Sequence, residues 1–432
     1  MKIGIRREDK NEWEARVPLI PSDVKKLIDQ GFDVLLQPSS IRIFKDDEYT
    51  KAGAIISEDI SECALILGVK EIPIDMFEDG KAYVFFSHTI KGQDYNMPLL
   101  QTMINKKIQL VDYERIVDDK GRRLIFFGRH AGLAGMIDTF WALGQRLTHE
   151  RITNPFSKIK KTFEYRGLEN AKNALSEIAE QIKTEGLPKE IQPLVVGFSG
   201  YGNVSQGAQE IFDIFPHKEL TPEELMSGEA LREQSNVLYK VVFKENDLVE
   251  RVDSSKDFEL QEYYNNPERY KSKFEQYIPK LSVLMNCIFW DIKYPRLITL
   301  DYLKEAWQSP ETPKLKIIGD VSCDIDGAIQ CTTKSTDPGN PVYTFDPLVG
   351  REQDGVIGNG PVIMAVDNLP CELAAEASQA FSKVLVDFVP QLLKADFNAE
   401  HEELNLPQEL LSALILHNGE LTEDYKYLKK YL

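Results

Sequence analysis

Three side chains able to move protons or hold charge stand directly after apolar runs in the first quarter of the chain. Lys70 follows Ala64–Val69, His88 follows Ala82–Ser87, and Glu114 follows Ile108–Tyr113. If these runs are strands of one open parallel sheet, their ends share a rim, which is where such sheets bind ligands. A partly desolvated lysine among other cations has its pKa lowered and can serve as a base. His88, with Lys70 and Lys91 for company, reads as a functional imidazole rather than a histidine bonded into the core. Glu71 is the acid that would otherwise hold Lys70 in an ordinary ion pair. Arg16 and Arg123 are candidate forks for substrate carboxylates, while Glu376, Lys383 and residues 400–403 read as solvated helix faces.

A second constellation lies near the middle. The apolar run Leu194–Phe198 leads into Gly200-Tyr201-Gly202-Asn203-Val204-Ser205 and then an apolar helical pattern up to Phe215. Gly200 permits a tight turn, Gly202 lets a pyrophosphate approach the backbone, and a helix starting near Val204 offers its free N–H groups. Ser205 stands where the third glycine is usual, with Gly207 two residues on. About 20 residues past such a loop an acid normally grips the ribose of NAD. Glu219 and Glu223 fall in that window, but Lys218 beside them would suit the 2′-phosphate of NADP, so spacing leaves the cofactor open. Asp320 and Asp324 follow the run Ile317–Gly319 with no His or Cys at ligand spacing, so no metal site is expected.

Around these groups short continuous apolar runs alternate with helical patterns, as in an α/β fold whose strands are buried on both faces. Ser22 is a candidate helix cap and Gly31 a stop. A mostly apolar helix over 132–147 leads out of the first domain, and another spans 168–182. Residues 216–280 read as an insertion, 339–360 as a long ordered loop, 373–393 as a helix kinked at Pro390, and the segment after Leu406 as helical.

The 432 residues hold 42% hydrophobic side chains, enough for two or three domains. With 51 basic against 69 acidic side chains the net charge is −18, which repels nucleic acid and anionic lipid. No apolar run approaches the ~18 residues of a membrane span. Five widely spaced cysteines without a C-x-x-C read as buried free thiols. The opening residues lack a signal-peptide apolar stretch, so a cytoplasmic setting is expected.

These segments resemble the lysine–2-oxoglutarate reductase domain of aminoadipic semialdehyde synthases and, more distantly, fungal lysine-forming saccharopine dehydrogenase and alanine dehydrogenase. The stretches that carry the resemblance are IGIRREDKNEWEARVP (3–18), ILGVKE (66–71), FFSHTIK (85–91), VDYE (111–114), DDKGRR (118–123), AGLAG (131–135), GYGNVS (200–205), GDVSCD (319–324) and VDNLP (366–370). The resemblance implies two Rossmann-like domains with parallel sheets and the active-site cleft between them. Residues 1–130 plus 395–432 would form the substrate domain and 131–394 the dinucleotide domain. It implies condensation of L-lysine with 2-oxoglutarate and reduction of the imine to saccharopine. Lys70 and His88 would be the acid–base pair, and Arg16, Glu71, Lys91, Glu114 and Arg123 would contact substrate. Gly200, Gly202, Asn203, Val204, Ser205, Asp320, Asn368 and Leu369 would hold the cofactor, which the resemblance gives as NADP(H), with NAD(H) as the alternative. An ammonia-using amino-acid dehydrogenase and a non-catalytic dinucleotide-binding regulator remain open as other functions. The oligomeric state is not legible.

Overall fold

The computed structural model describes residues 1–231, 234–311 and 313–432. The chain forms two compact units, Met1–Phe127 with Ala374–Leu432, and Gly128–Leu373.

The first unit is built on β1 (Lys2–Ile5), β2 (Asp33–Leu36), β3 (Ile55–Ile56), β4 (Leu65–Leu67), β5 (Ala82–Phe85) and β6 (Gln109–Asp112). These six are parallel, in spatial order β3-β2-β1-β4-β5-β6. That is the doubly wound order, and β4, β5 and β6 are adjacent as the sequence predicts. β4 through β6 are buried along their whole length, which accounts for their unbroken apolar runs. Ser22 does not cap the first helix: Pro21 opens it at the first position after Ile20, and Gly31 closes it at φ +90°.

The second unit carries β7 (Val195–Ser199), β8 (His217–Leu220), β9 (Leu238–Phe243), the antiparallel pair β10 (Val249–Arg251) and β11 (Tyr270–Ser272), then β12 (Val283–Asn286), β13 (Ile317–Asp320), β14 (Val342–Asp346), β15 (Arg351–Asp354) and β16 (Val362–Met364). Its main sheet runs β8-β9-β7-β12-β13-β16-β14-β15, parallel except for β14 and β15. Residues 216–280 are therefore not simply an insertion, since β8 and β9 within them complete one side of the sheet. Residues 339–360 are not a loop either, because β14 and β15 pair there as an antiparallel edge. β9 lies beside β7, and β8 is displaced one place outward, unlike the doubly wound order of the first unit.

The chain returns to the first unit through the helix Ala374–Lys394, then β17 (Leu414–His417) and β18 (Glu420–Leu421). The tail after Leu406 is helical, as expected, at Gln408–Leu411 and again over Glu423–Tyr431, but between them it extends the first sheet, with β17 antiparallel to β6 and β18 antiparallel to β17. The helix Ala374–Lys394, placed with the dinucleotide domain from sequence, packs in the first unit. Phe381, Leu385, Val389 and Leu392 repeat every three to four residues and are buried in that unit's core, each worth roughly 1.5–3 kcal/mol. The hydroxyls of Ser378 and Ser382 on the same helix accept from the amides of Val17 and Ile20 at 2.9 and 3.0 Å. Four of the five free cysteines are buried, and no helix among the described residues is long and apolar enough to cross a membrane.

Candidate active site

In the first unit, Lys70, His88 and Glu114 stand just beyond the C-terminal ends of β4, β5 and β6. Each strand end is held by a buried carboxyl that the sequence reading overlooked. Glu8 accepts from the amides of Val69 at 2.7 Å and Lys70 at 2.9 Å. Burial pushes its carboxyl up to about 7, against the opposing charge of Arg6. Asp112, at the end of β6, accepts from the Ser87 amide at 3.0 Å, the Ser87 hydroxyl at 2.5 Å and the Glu114 amide at 2.8 Å. One fully buried acid thus ties the ends of β5 and β6 together. The available signal was an acid closing an otherwise apolar run.

The Lys70 side chain makes no hydrogen bond or ion pair among the described residues. Burial lowers its pKa, and the charges of Arg16 and Lys10 lower it further, which favours a neutral amine able to take a proton. Glu71 does not pair with Lys70. It accepts from Lys10 Nζ at 3.1 Å and meets His88 Nδ1 at 2.6 Å. Burial pushes the Glu71 carboxyl up, but the His88 hydrogen bond and charge and the Lys10 ammonium outweigh it and hold it at about 2. His88 itself sits at φ 54°, a left-handed conformation that a non-glycine residue adopts at some cost. Its carbonyl is fixed by Asn96 Nδ2 at 3.1 Å.

The expected carboxylate forks are only partly available. Arg16 is buried, and its Nε and Nη2 already grip Glu14 at 2.7 and 2.5 Å, with the guanidinium stacked over Phe127. The sequence reading missed Glu14 and so gave Arg16 an open fork. Arg123 pairs with Glu114, which brings two expected substrate residues together, and about half of its side chain stays exposed. Lys91, at the end of the short helix Thr89–Lys91, is exposed. Lys70, Glu71 and His88 therefore follow neighbouring strand ends, with Glu71 bonded to His88, while Glu114 pairs with Arg123 and Arg16 is held by Glu14.

In the second unit, Gly200 takes φ +87° and its amide donates to the Phe243 carbonyl at 2.9 Å. Gly202 precedes the helix Asn203–Phe212, and a Cβ added there would meet nothing within 4 Å. That open cradle at a helix N-terminus fits a pyrophosphate. Asn203 and Val204 form the first helical turn. Ser205 is buried, its hydroxyl accepting from Gln209 at 2.9 Å. Close helix packing falls to Gly207, where a Cβ would lie 2.1 Å from the Arg129 carbonyl.

Both carboxylate oxygens of Asp320, expected to hold the cofactor, are already engaged within the protein. Asp320 is buried, accepts from Asn286 Nδ2 at 2.8 Å, Thr332 Oγ1 at 2.5 Å and the Cys323 amide at 3.2 Å, and burial pushes it up to about 6. Ser199 Oγ donates to Asn286 Oδ1 at 2.9 Å, so the network braces the ends of β7, β12 and β13. The Leu369 side chain is buried in the second unit's core, and Asn368 beside it is nearly buried, with its carbonyl taken by the Cys371 amide at 2.9 Å. Glu219 lies on β8, one strand removed from β7, and its carboxylate pairs with Lys240 at 3.0 Å. Together with Glu223 it lines a cavity whose lining contains no residue of the glycine loop.

Family models for the alanine dehydrogenase/PNT N-terminal and C-terminal domains match residues 4–134 and 245–424. Alpha-aminoadipic semialdehyde synthase of Arabidopsis thaliana is 38% identical over 99% of this chain and 41% of its own length. The chain thus spans less than half of that relative. The L-lysine-forming, NAD(+) saccharopine dehydrogenase of Yarrowia lipolytica is 30% identical over 92% of this chain and 93% of its own. An L-alanine dehydrogenase structure shares the fold at TM-score 0.61 and 17% identity, covering 100% of this chain and 99% of that one. With an end-to-end relative at that identity, the chain belongs to the alanine dehydrogenase and L-lysine-forming saccharopine dehydrogenase family of nicotinamide-dinucleotide oxidoreductases.

Proposed function

We propose that this protein forms or cleaves saccharopine from L-lysine and 2-oxoglutarate by nicotinamide-dependent imine reduction. The observation that carries this reading is Lys70, unpaired among the described residues and with its pKa lowered, beside the Glu71-held His88 on one strand-end rim. In the forward direction, Lys70 takes the proton released as the lysine ε-amine attacks the ketone carbon of 2-oxoglutarate and returns it to the former carbonyl oxygen, giving the carbinolamine hydroxyl. His88 then protonates that hydroxyl, which departs as water and leaves the protonated imine. Glu71 fixes the imidazole by its Nδ1, so Nε2 is the nitrogen presented for this transfer. A reduced dinucleotide held at the glycine loop before the helix Asn203–Phe212 would supply the hydride for the imine carbon. Saccharopine carries three carboxylates, for which Lys91 and the exposed part of Arg123 are the accessible cations and Arg16 is the buried one. Which dinucleotide is bound turns on the residue facing the adenosine ribose.

The test is loss of reduced cofactor absorbance with lysine and 2-oxoglutarate together, each alone as control, and saccharopine identified by mass spectrometry. Turnover only with both substrates supports the reading. Equal turnover with ammonium replacing lysine would make the protein an amino-acid dehydrogenase instead, and no turnover with any amine would leave a binding protein.

A further inference from the structure

The helical segment Glu423–Tyr431 is anchored in the first unit's core by Tyr425 and Leu428, one turn apart and both buried. From that anchor it reaches the two turns that carry rim residues. Arg115 Nε, on the residue after Glu114, donates to Tyr425 Oη at 2.9 Å, and Tyr425 Oη donates in turn to the Ser412 carbonyl at 2.5 Å. Tyr427 Oη donates to the carbonyl of Ile90, two residues past His88, at 2.5 Å. The Tyr431 ring lies on Gly92, which closes the turn Thr89–Lys91 at φ +62°, and a Cβ at that glycine would fall 2.4 Å from the ring. All of these residues belong to the first unit.

The backbone at His88 needs such support. Its φ of 54° is a conformation that persists in a non-glycine residue only where the surroundings over-determine it. Before and at His88 the restraints are the Asp112 carboxyl on the Ser87 amide at 3.0 Å and Asn96 Nδ2 on the His88 carbonyl at 3.1 Å. Past it, Ile90 and Gly92 are held by Tyr427 and Tyr431. These two tyrosines are 45% and 40% exposed, so they add little to the core that stabilises the unit, and what they meet is this turn. The imidazole keeps Nδ1 at 2.6 Å from Glu71, so a loosened turn costs alignment before it costs the fold.

We propose that Tyr427 and Tyr431 are positioning residues for His88: they clamp the turn Thr89–Lys91 against the segment Glu423–Tyr431 and so hold the imidazole on Glu71. The clamp rests on the proposed function in taking His88 as the group that protonates the departing hydroxyl.

The test uses two variants of the full chain, Tyr427→Phe, which removes one hydroxyl, and Tyr431→Ala, which removes the ring. Each should lower kcat by ~3- to 10-fold, the size of one hydrogen bond lost from alignment, with KM for the dinucleotide unchanged. Tyr431→Phe, which keeps the ring on Gly92, should restore turnover. Nitrogen NMR of isotope-labelled histidine side chains, recorded without substrate, reads the alignment itself, the His88 signals being identified by their loss in His88→Gln. In wild type they should show a ring bonded through Nδ1, and in Tyr427→Phe and Tyr431→Ala the averaged pattern of a ring released from Glu71. A lower Tm with kcat and His88 signals as in wild type would make the tyrosines purely structural and overturn the clamp. Tyr427→Phe keeps the ring and its packing, so it decides the matter even if Tyr431→Ala fails to fold. Because the spectra need no turnover, a released ring in protein that does not convert lysine with 2-oxoglutarate would refute the proposed reaction and leave the clamp standing.

Discussion

His88 Nδ1 lies 2.6 Å from Glu71 Oε1, and this contact, rather than a lysine–glutamate pair, organises the strand-end rim. Adjacent Lys70 and Glu71 diverge. The glutamate goes to the imidazole and Lys10, and the lysine keeps its amine unpaired among the described residues. Replacing Glu71 by Gln keeps the shape but removes the carboxylate that fixes the ring. The expected result is a fall in kcat approaching the ~10²-fold lower bound of general acid–base catalysis, with KM for the dinucleotide unchanged. Steady-state kinetics at saturating lysine and 2-oxoglutarate checks it, and full activity would make the contact merely structural.

Lys70→Met and His88→Gln should each lower kcat by ~10²-fold or more. Dinucleotide affinity measured by fluorescence should barely move, because the glycine loop belongs to the other unit. Near-wild-type turnover in Lys70→Met would identify a structural lysine and remove the proposed base.

Two glycines of the dinucleotide loop region should part company on substitution. Gly202→Ala places a methyl in open space, so Tm should stay within error while dinucleotide binding weakens. Gly207→Ala drives a methyl to 2.1 Å from the Arg129 carbonyl and should cost ~1–3 kcal/mol or more in stability, as overpacking does. Equal dinucleotide binding by Gly202→Ala and wild type would mean that the pyrophosphate does not approach there.

Glu8 should make stability fall as pH rises through neutrality. Its folded pKa, about 7, lies above the ordinary 4.5, so between those values the folded protein holds a proton that the unfolded chain releases. Its stabilising contribution is complete below the unfolded value and is lost as pH rises through 7, amounting to about 3 kcal/mol. Thermal melts of wild type and Glu8→Gln from about pH 5 to about pH 8 isolate this share. Parallel pH profiles for the two proteins would show that Glu8 ionises normally in the fold.

A second buried acid pair should act in the same direction. Asp138 and Glu372 are buried and interact, each with one carboxyl oxygen that has no other hydrogen-bond partner, and burial raises both pKa values. Asp138 Oδ1 accepts from the Thr162 amide and hydroxyl at 2.8 and 2.9 Å, and Glu372 accepts from the Phe163 amide at 3.3 Å. The pair therefore keeps a proton that alkaline conditions remove. Glu372→Gln cannot lose that proton, so its Tm should fall less than that of wild type as pH rises above neutrality. A steeper fall in the variant would contradict the shared proton.

The sequence by itself determined what local chemistry determines. Unbroken apolar runs located β4, β5 and β6 because strands buried on both faces exclude polar residues, and the groups following them had to emerge on one rim. The strand–glycine–helix pattern located the loop, since few residues besides glycine accept φ +87° at position 200. Tertiary structure decided whatever depends on the partner across space. Arg16 and Glu14 are two residues apart, yet only burial shows that they consume each other's hydrogen bonds. Glu219 satisfied the spacing rule for a ribose ligand, but its strand β8 lies outside β9 and its carboxylate pairs with Lys240, because strand order is set by packing between distant segments. The same long-range packing drew the helix Ala374–Lys394 into the first unit, where its apolar face and Ser378 and Ser382 meet partners more than 350 positions away in the chain. No local pattern records such a partner, because the energy that selects it exists only once both surfaces are formed.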